Sequence, residues 1–390
     1  MDMMKRYNVD DSQQPVRDWV HEFGEKEISK VFIELDRRPE PQVLPRDYYK
    51  KIADAGLIGY SMPKEYGGGG CTSLQYATMI EELAFWDGPT SLLTAVPQLA
   101  SYPVFKFGTE EQIKKYIPKA AKGELIPAFA LTEENAGSDA ANQSTCAIEE
   151  GDNYIINGKK HFIMHGDVCD FAVLFCKIGN QEEAKRPKIS AILVDADTPG
   201  FKGETLQYKM GMKAATTGRI YLDNVKVPKS SLLGDVGSGF KYAMNTLDGA
   251  RVGVAAQGVG IAQRALEEAV KFANNRIAFG APIAKLQAIQ WMIADMSTKL
   301  EAARAMTYKA AQLQDKGARF STEAAQAKLF ASETAGFCVD RSMQIHSGYG
   351  YIGEFSILEK LYRDQRVLEI YEGTSEIQRL IIGGTYLRSL

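Results

Sequence analysis

The chain has 390 residues, and its 46 lysines and arginines against 49 aspartates and glutamates leave a formal net charge of −3. This balance argues against a basic surface for nucleic acid. Hydrophobic residues make up 45% and charged residues 24% of the chain, as in folded globular proteins, so we expect neither disorder nor a fibrous repeat. At about 150 residues per domain, the length predicts two or three domains.

The sequence gives no sign of membrane attachment or export. Its apolar runs are far shorter than the roughly 18 residues that a spanning helix needs. The start, MDMMKR followed soon by two aspartates, fits neither a secretory signal nor a transit peptide. The five cysteines are odd in number and form no CxxC pair, so we expect a reducing, cytoplasmic compartment.

Residues 1–126 are predicted to form an N-terminal helical domain. From Ser73 onward, apolar residues recur at steps of three and four, which is the spacing of one helix face. Thr109 and Gln112 have the spacing of a capping box, which predicts a short helix followed by Pro118.

Residues 127–236 are predicted to form a middle β domain, because the helical spacing gives way to alternation and short apolar runs. The runs at 171–176 and 189–194 are typical of buried strands. The pair Asn157-Gly158 after an apolar run indicates a turn. Since no long helix separates the strands, we predict an antiparallel sandwich or barrel rather than a doubly wound parallel sheet.

Residues 237–390 are predicted to form a C-terminal four-helix bundle. Between Leu286 and Met306, apolar residues follow steps of three and four, as at the seam of a bundle. Further helical stretches at about 322–345 and 375–390 supply the remaining helices. The predicted fold class is therefore α+β multidomain, with a helical domain, a β-sandwich or barrel, and a four-helix bundle in that order.

Several chemistries are disfavoured by the motifs. Helix bundles often hold di-iron centres through Glu-x-x-His pairs, but no histidine here has a glutamate three residues before it, so we predict no metal site. Gly348-x-Gly350-x-x-Gly353 has dinucleotide-binding spacing but follows a helical stretch instead of a strand, so a Rossmann fingerprint is rejected. Close approach to a phosphate and a plain turn both stay open for these glycines. No GxSxG elbow or cysteine nucleophile motif occurs.

A set of segments, in order along the chain, resembles the acyl-CoA dehydrogenases. They are ALTEENAGSD at 130–139, KMGMK at 209–213, LDGAR at 247–251, RIAFG at 276–280, QIHSGYGY at 344–351 and IYEGTSE at 370–376. The likeness extends from about residue 15 to the C-terminus. It implies the three domains predicted above, FAD bound without a Rossmann fold, and a homotetramer built as a dimer of dimers.

The resemblance implies that Glu372 is the catalytic base. It would remove the α proton of an acyl-CoA thioester while hydride leaves the β carbon for FAD. An ordinary carboxylate, with a pKa of about 4.3, is a poor base for an α C–H, so we expect the site to raise that pKa. Some members carry the base immediately before the arginine that matches Arg251, but this chain has Ala250 there, which leaves Glu372 without a rival.

The resemblance also implies residues that contact the cofactor and the substrate. Arg276, matching a pyrophosphate ligand supplied across the dimer, and the Asp248–Arg251 pair could instead form ordinary salt bridges. The expected FAD contacts are Phe129, Leu131, Thr132, Ser138, Phe162, Ile163, Met164, Arg276, Phe279, Gln287, Gln344, Gly348, Thr374 and Glu376. The expected acyl-CoA contacts are Ser138, Asp248, Arg251, Tyr371 and Gly373.

Two departures from the family pattern bear on the site. Phe162-Ile163-Met164 stands where the family commonly has Trp-Ile-Thr, so the hydroxyl expected near flavin N5 is absent and the surroundings are more apolar. We expect flavin potential, oxygen reactivity or substrate preference to differ accordingly. Glu134 and Asn135 replace a usual Pro-Gly, so the shape of that loop is expected to differ too.

The leading prediction is an acyl-CoA dehydrogenase of fatty-acid or carboxylic-acid degradation that passes electrons to an electron-transferring flavoprotein. Enoyl-CoA reduction by the same residues and a catalytically silent binding protein stay open as alternatives. Pocket depth is expected to depend on residues 85–93 and on those near Tyr371. The bulk of Phe85 and Trp86 favours a short, branched or alicyclic acyl group, unless both side chains pack away from the pocket.

Overall fold

The computed structural model describes residues 6–179 and 188–388. Helices come first along the chain, then a β-sheet, then a second set of helices. This order confirms the predicted fold class. Residues 389–390, at the end of the last predicted helix, lie outside the described residues.

The N-terminal part is helical, and its helices carry the predicted caps. Thr109 accepts a hydrogen bond from the Gln112 backbone, and the Gln112 side chain completes the capping box. The helix continues past Pro118, so the prediction that it stops before this proline was wrong. Burial of Ile113 and Ile117 outweighs the one hydrogen bond that proline cannot donate. The helices are α1 (Gln13–Phe23), α2 (Ser29–Arg37), α3 (Arg46–Asp54), α4 (Ser73–Trp86), α5 (Gly88–Phe107) and α6 (Glu110–Ala121).

The middle part is a single mixed sheet. Its strands are β1 (Pro127–Ala130), β2 (Cys146–Glu150), β3 (Asn153–Met164), β4 (Phe171–Ile178), β5 (Ile189–Asp195), β6 (Phe201–Thr205), β7 (Thr217–Pro228) and β8 (Leu232–Leu233). They are ordered β6-β7-β3-β2-β4-β5-β8, and β1 also pairs with β4. The pairs are antiparallel except that β1 and β2 both run parallel to β4. The strand β4 is buried on both faces, which explains its continuous apolar run.

The Asn157-Gly158 pair lies inside β3, so the predicted turn there was wrong. β3 pairs with β7 on both sides of the pair, and the register shifts between Ile156 and Gly158, as at a β-bulge. A Cβ atom on Gly158 would lie 2.5 Å from Thr145 Oγ1. Glycine is therefore required by the close approach of the neighbouring chain.

The C-terminal part is a bundle built on one long central helix. Small buried residues such as Ala262, Ala269 and Ala331 let its helices approach closely. No helix in residues 6–179 and 188–388 is long and apolar enough to cross a membrane. The helices are α7 (Gly239–Asn275), α8 (Gln287–Asp315), α9 (Ser321–His346), α10 (Gly348–Tyr351), α11 (Leu358–Gln365) and α12 (Ser375–Leu387), and a small hairpin joins α7 to α8 through β9 (Ile277–Ala278) and β10 (Ala281–Pro282).

Candidate active site

A cavity of about 170 Å³ lies between the first helical part and the bundle. Tyr76 of α4, Leu92 of α5 and Gly253 of α7 line it, together with Tyr371 and Glu372 from the loop before α12. Several separate segments of the chain therefore meet around one carboxylate.

The backbone at Glu372 is in an unusual conformation that its surroundings hold in place. Glu372 has φ +54° and Gly373 has φ +93°, both in the left-handed region. Gln378 Nε2 donates to the carbonyl oxygens of Glu372 and Gly373 at 3.1 and 2.8 Å. Lys328 Nζ donates to the same Gly373 oxygen at 2.8 Å. The carboxylate is thus presented by a turn whose two carbonyl groups are fixed from α9 and α12.

The charge of Glu372 is subject to opposing influences. Its side chain is half-buried, because one side faces the cavity and the other lies against protein. Loss of water raises the pKa of the Glu372 carboxyl, while the positive charges of Arg251 and Lys328 lower it, and the net shift is upward. This is the direction that a general base for a weak carbon acid requires.

A row of hydrogen-bonded side chains forms one wall of the cavity. The Tyr371 hydroxyl donates to Gln257 Oε1, and Gln257 Nε2 donates to Ser91 Oγ at 3.0 Å. Ser91 Oγ donates in turn to the Gly88 carbonyl oxygen at 2.6 Å. Since Gln257 and Tyr371 both line the cavity, the row gives it a rigid polar boundary.

Phe85 and Trp86 pack away from the cavity, which is the second of the two arrangements that the sequence left open. Neither is among the described residues that line the cavity, whereas Leu92 of the following helix is. The Phe85 ring lies 4.3 Å from the guanidinium carbon of Arg6 and 5.3 Å from that of Arg264. Phe85 therefore contacts two cations near the end of α4 and does not line the cavity.

Asp248 and Arg251 of α7 form an ion pair. The Ser321 hydroxyl also donates to Asp248. The structure therefore contains the Asp248–Arg251 salt bridge that was the alternative to a substrate contact. The contact of these two residues with the CoA arm stays a prediction. Arg251 is buried, and its charge acts on Glu372 from the α7 side.

The residues expected along the flavin ring come together near the ends of β1 and β3. The Thr132 carbonyl accepts a hydrogen bond of 2.9 Å from the His161 N–H, which places the end of β1 beside the end of β3. Leu131 and Ile163 are buried there, and Phe129 packs on Phe175 with ring centroids 4.8 Å apart.

Phe162 and Met164 complete this group, which fits an apolar planar ligand. Phe162 is 64% exposed with φ +56°, so a large aromatic face is left uncovered at a strand end. An isoalloxazine ring is of the kind that such a face would bind. Met164 is paired across the strands with Thr217, whose Oγ1 lies 3.0 Å from the Met164 sulfur. A threonine hydroxyl is thus present beside Met164, but it comes from β7.

The residues expected near the adenosine and pyrophosphate form a second, exposed group. The Arg276 guanidinium carbon lies 5.3 Å from the ring centroid of Tyr349, which directly follows Gly348. Gln287 and Gln344 are exposed, and Phe279 is 93% exposed with φ +52°. Within the part of the chain that the structure describes, no hydrogen bond, ion pair or ring contact joins these residues to the flavin-side group.

Of the other predicted contacts, Ser138 is exposed, while Thr374 and Glu376 lie at the start of α12. Thr374 is the N-cap of that helix and accepts from the Ile377 N–H. Glu376 is exposed in its first turn. These two residues therefore also support the helix that holds the Glu372 turn.

The loop that carries Ser138 is held from inside by a carboxylate. Glu133 accepts hydrogen bonds from the Ser144 and Thr145 N–H groups at 2.6 and 3.0 Å and from Lys160 Nζ at 2.9 Å. The Lys160 charge, together with these hydrogen bonds, outweighs burial and lowers the pKa of Glu133 to about 2. The departures at Glu134 and Asn135 are exposed and leave this anchor unaffected.

The motifs did not reveal Lys328, Gln257 or Gln378. One signal for Lys328 is present in the sequence: it falls between Ala324 and Ala331 at the spacing of a buried helix face. A lysine at such a position is unusual and points to a special role. Gln257 and Gln378 have no comparable signal, because polar residues are common on helices.

Comparisons with known proteins agree over nearly the whole chain. Models of the N-terminal, middle and C-terminal domains of acyl-CoA dehydrogenases match residues 10–124, 128–225 and 237–387. The 3-(aryl)acrylate reductase of Clostridium sporogenes is 44% identical over 96% of this chain and 98% of its own. The caffeyl-CoA reductase-Etf complex subunit CarC of Acetobacterium woodii is 43% identical over 96% and 97%. The butyryl-CoA dehydrogenase structure from Megasphaera elsdenii superimposes with a TM-score of 0.92 at 37% identity, covering 98% of this chain and all of that one. The chain therefore belongs to the acyl-CoA dehydrogenase family.

Proposed function

We propose that this protein is an FAD-dependent acyl-CoA dehydrogenase that converts a short acyl-CoA thioester to the 2-enoyl-CoA, with Glu372 as its base. The observation that carries the proposal is that Glu372 is the one acidic side chain among the described residues that line the cavity. The acyl-CoA dehydrogenase family is FAD-dependent, and its members act as oxidoreductases on CH–CH bonds.

The proposed chemistry of this chain is proton transfer at the α carbon. Glu372 accepts the α proton, and its raised pKa brings it closer to the acidity of the activated thioester. The Glu372 backbone N–H is expected to donate to the thioester carbonyl oxygen, where negative charge develops. Bound FAD supplies the acceptor for the hydride from the β carbon.

The residues proposed to hold FAD lie in the two groups described above. We assign the flavin ring to the group around Phe162 and Met164. The exposed group around Arg276 and Phe279 is proposed to serve the cofactor of a neighbouring subunit, which requires at least a dimer and fits the homotetramer that the family resemblance implies. Large apolar side chains left exposed on the bundle support such association: Phe279, Trp291, Tyr351, Leu380 and Leu387.

A short acyl group is supported by the dimensions and the walls of the cavity. Its volume of about 170 Å³ has to receive part of the pantetheine arm as well as the acyl chain. The bonded row from Tyr371 through Gln257 to Ser91 gives one wall little freedom to move. The likeness to a butyryl-CoA dehydrogenase agrees with this size.

Enoyl-CoA reduction is the second candidate, because two similar proteins are named as reductases. The same residues would serve, with protonated Glu372 returning a proton to the α carbon. An electron-transferring flavoprotein is the proposed redox partner in either direction, in line with the Etf complex named for one relative. Measuring the flavin potential with and without bound thioester would discriminate between the two directions.

The test of the base is Glu372→Gln, with Glu333→Gln as the matched control. Both variants should purify yellow with bound FAD. We expect flavin reduction by butyryl-CoA in a stopped-flow instrument to fall by about 10³-fold or more in Glu372→Gln, since the α proton loses its acceptor. The control should reduce at nearly the normal rate, because Glu333 is exposed, lies outside the cavity lining and is not among the expected cofactor contacts.

Near-normal flavin reduction by Glu372→Gln would refute the proposed base. A panel of acyl-CoA thioesters of increasing length and branching, scored by flavin bleaching, would define the acyl preference. Wild-type protein that purifies without flavin would instead favour a catalytically silent binding role.

A further inference from the structure

Lys328 is a fully buried cation beside the proposed base. It lies on α9, its side chain is 0% exposed, and its Nζ donates to the Gly373 carbonyl oxygen. Among the described residues, no carboxylate lies within ion-pair distance of its ammonium group. An ammonium group buried in this way is costly, so its presence calls for a compensating role.

The charges around Lys328 come from four elements. Glu372 lies on the cavity loop, Arg251 on α7, Glu369 in the turn after α11 and Glu376 on α12. Arg251 is paired with Asp248, whereas among the described residues Lys328 bonds only to the Gly373 carbonyl oxygen. Burial lowers the pKa of Lys328 to about 8, and Glu372 provides the largest opposing influence.

Lys328 and Glu372 each shift the pKa of the other. Burial favours the protonated, neutral form of Glu372, and the positive charges of Arg251 and Lys328 favour the carboxylate. Only the carboxylate can accept the α proton.

We propose that Lys328 is a positioning residue for the base, which fixes the Glu372-Gly373 turn through the Gly373 carbonyl and keeps the Glu372 carboxylate ionised. The inference rests on the proposed role of Glu372. Lys328 itself transfers no proton and makes no contact with the substrate in this scheme.

Gln378 offers a matched control, because it also donates to the Gly373 carbonyl oxygen but has no positive charge to act on Glu372. Its Nε2 donates to the same Gly373 oxygen, it is equally buried, and it carries no charge. Replacing Gln378 therefore loosens the turn, whereas replacing Lys328 loosens the turn and removes a positive charge.

The experiment measures flavin reduction by butyryl-CoA from pH 5 to pH 9 in Lys328→Met, Lys328→Gln and Gln378→Met. The three variants are first checked for bound FAD and for a cooperative thermal transition. In both Lys328 variants the acidic limb of the rate profile should move to higher pH by about one unit, a tenfold loss of rate on that limb. Gln378→Met should lower the maximum rate and leave the limb in place.

A second measurement follows the Glu372 carboxyl directly. Infrared difference spectra in flavin-free protein should show a protonated carboxyl band that persists to higher pH in Lys328→Met than in the wild type. The added band should vanish in the double variant Lys328→Met with Glu372→Gln. This readout depends on neither turnover nor cofactor.

The outcomes separate the two proposals. If the Lys328 variants keep the wild-type limb and carboxyl band while Glu372→Gln is inactive, the role of Lys328 is refuted and the base stands. If Gln378→Met shifts the limb as much as Lys328→Met does, the effect comes from the turn alone and the charge role is refuted. If Glu372→Gln stays active, the proposed function itself fails.

Discussion

At the scale of single residues, His165 is a titratable group that the fold isolates from water. It is 0% exposed, and neither ring nitrogen has a hydrogen-bond partner among the described residues. The Tyr49 ring meets it edge-on, with centroids 6.0 Å apart. Burial, helped by the Lys209 charge, lowers the pKa of His165 to about 3.

The burial of His165 predicts that this one side chain lowers the free energy of unfolding at acidic pH. Unfolded His165 binds a proton near pH 6.5 but the folded form only near pH 3, so the unfolded state holds more protons between these values. The free energy of unfolding is therefore unaffected by His165 above pH 6.5 and falls below it. Between pH 7 and pH 5 the loss should be about 2 kcal/mol.

Urea unfolding of wild type and His165→Phe, at pH 7 and pH 5 and at equal protein concentration, measures this effect. Carboxylates and other histidines titrate in both proteins, so their contributions cancel in the difference. On going from pH 7 to pH 5, the free energy of unfolding of the variant should rise by about 2 kcal/mol relative to that of wild type. A difference that is the same at both pH values would contradict the prediction.

At the scale of elements, α7 approaches the cavity with its backbone. Gly249, Ala250 and Gly253 line the cavity from one face of the helix. A Cβ atom on Gly253 would lie 3.1 Å from the Tyr76 hydroxyl, which is tighter than an ordinary contact. The small side chains of this face therefore set the width of the cavity between α4 and α7.

Gly253→Ala should narrow the cavity and change substrate choice more than stability. We expect kcat/KM for hexanoyl-CoA, relative to butyryl-CoA, to fall by about tenfold. A change of one methylene group in a tight pocket alters kcat/KM by at least about this factor. The control is Gly383→Ala on α12, where a Cβ atom meets nothing within 4 Å. It should leave the ratio unchanged and stabilise the helix by about 0.5–1 kcal/mol. An unaltered ratio in Gly253→Ala would show that this face does not limit the acyl group.

At the scale of the whole molecule, buried charges join the N-terminal helices to the bundle. Glu81 of α4 accepts hydrogen bonds from Arg17 of α1 and from Arg304 and Tyr308 of α8. Glu81 and Arg304 are at most 1% exposed. Although burial opposes ionisation, the arginines prevail and lower the pKa of Glu81 to about 2.

Arg304→Met should destabilise the protein strongly, because it removes one of the arginines that compensate the buried Glu81 carboxylate. The expected loss is about 3–5 kcal/mol of unfolding free energy, measured by urea denaturation. The exposed pair of Arg379 and Glu333 is the control, and Arg379→Met should cost less than about 1 kcal/mol. Equal effects of the two variants would mean that the buried cluster does not hold the two helical parts together.

The sequence by itself determined the order of the three parts, several element boundaries and the family. The capping box at Thr109 and the apolar run at 171–176 report on residues within one turn or one strand, so they survive in the fold. The motif around Glu372 led to the cavity because its residues are contiguous along the chain.

Only the tertiary structure decided which side chains lie together around the cavity and the Glu372 turn. The contacts from Lys328 to Gly373, from Tyr371 to Gln257 and from Gln257 to Ser91 join residues 45, 114 and 166 positions apart. The same holds for the bulge at Gly158 and for Phe85, which turns toward two arginines instead of the cavity. Local periodicity shows that a residue is buried, but which neighbours bury it depends on how distant helices and strands pack.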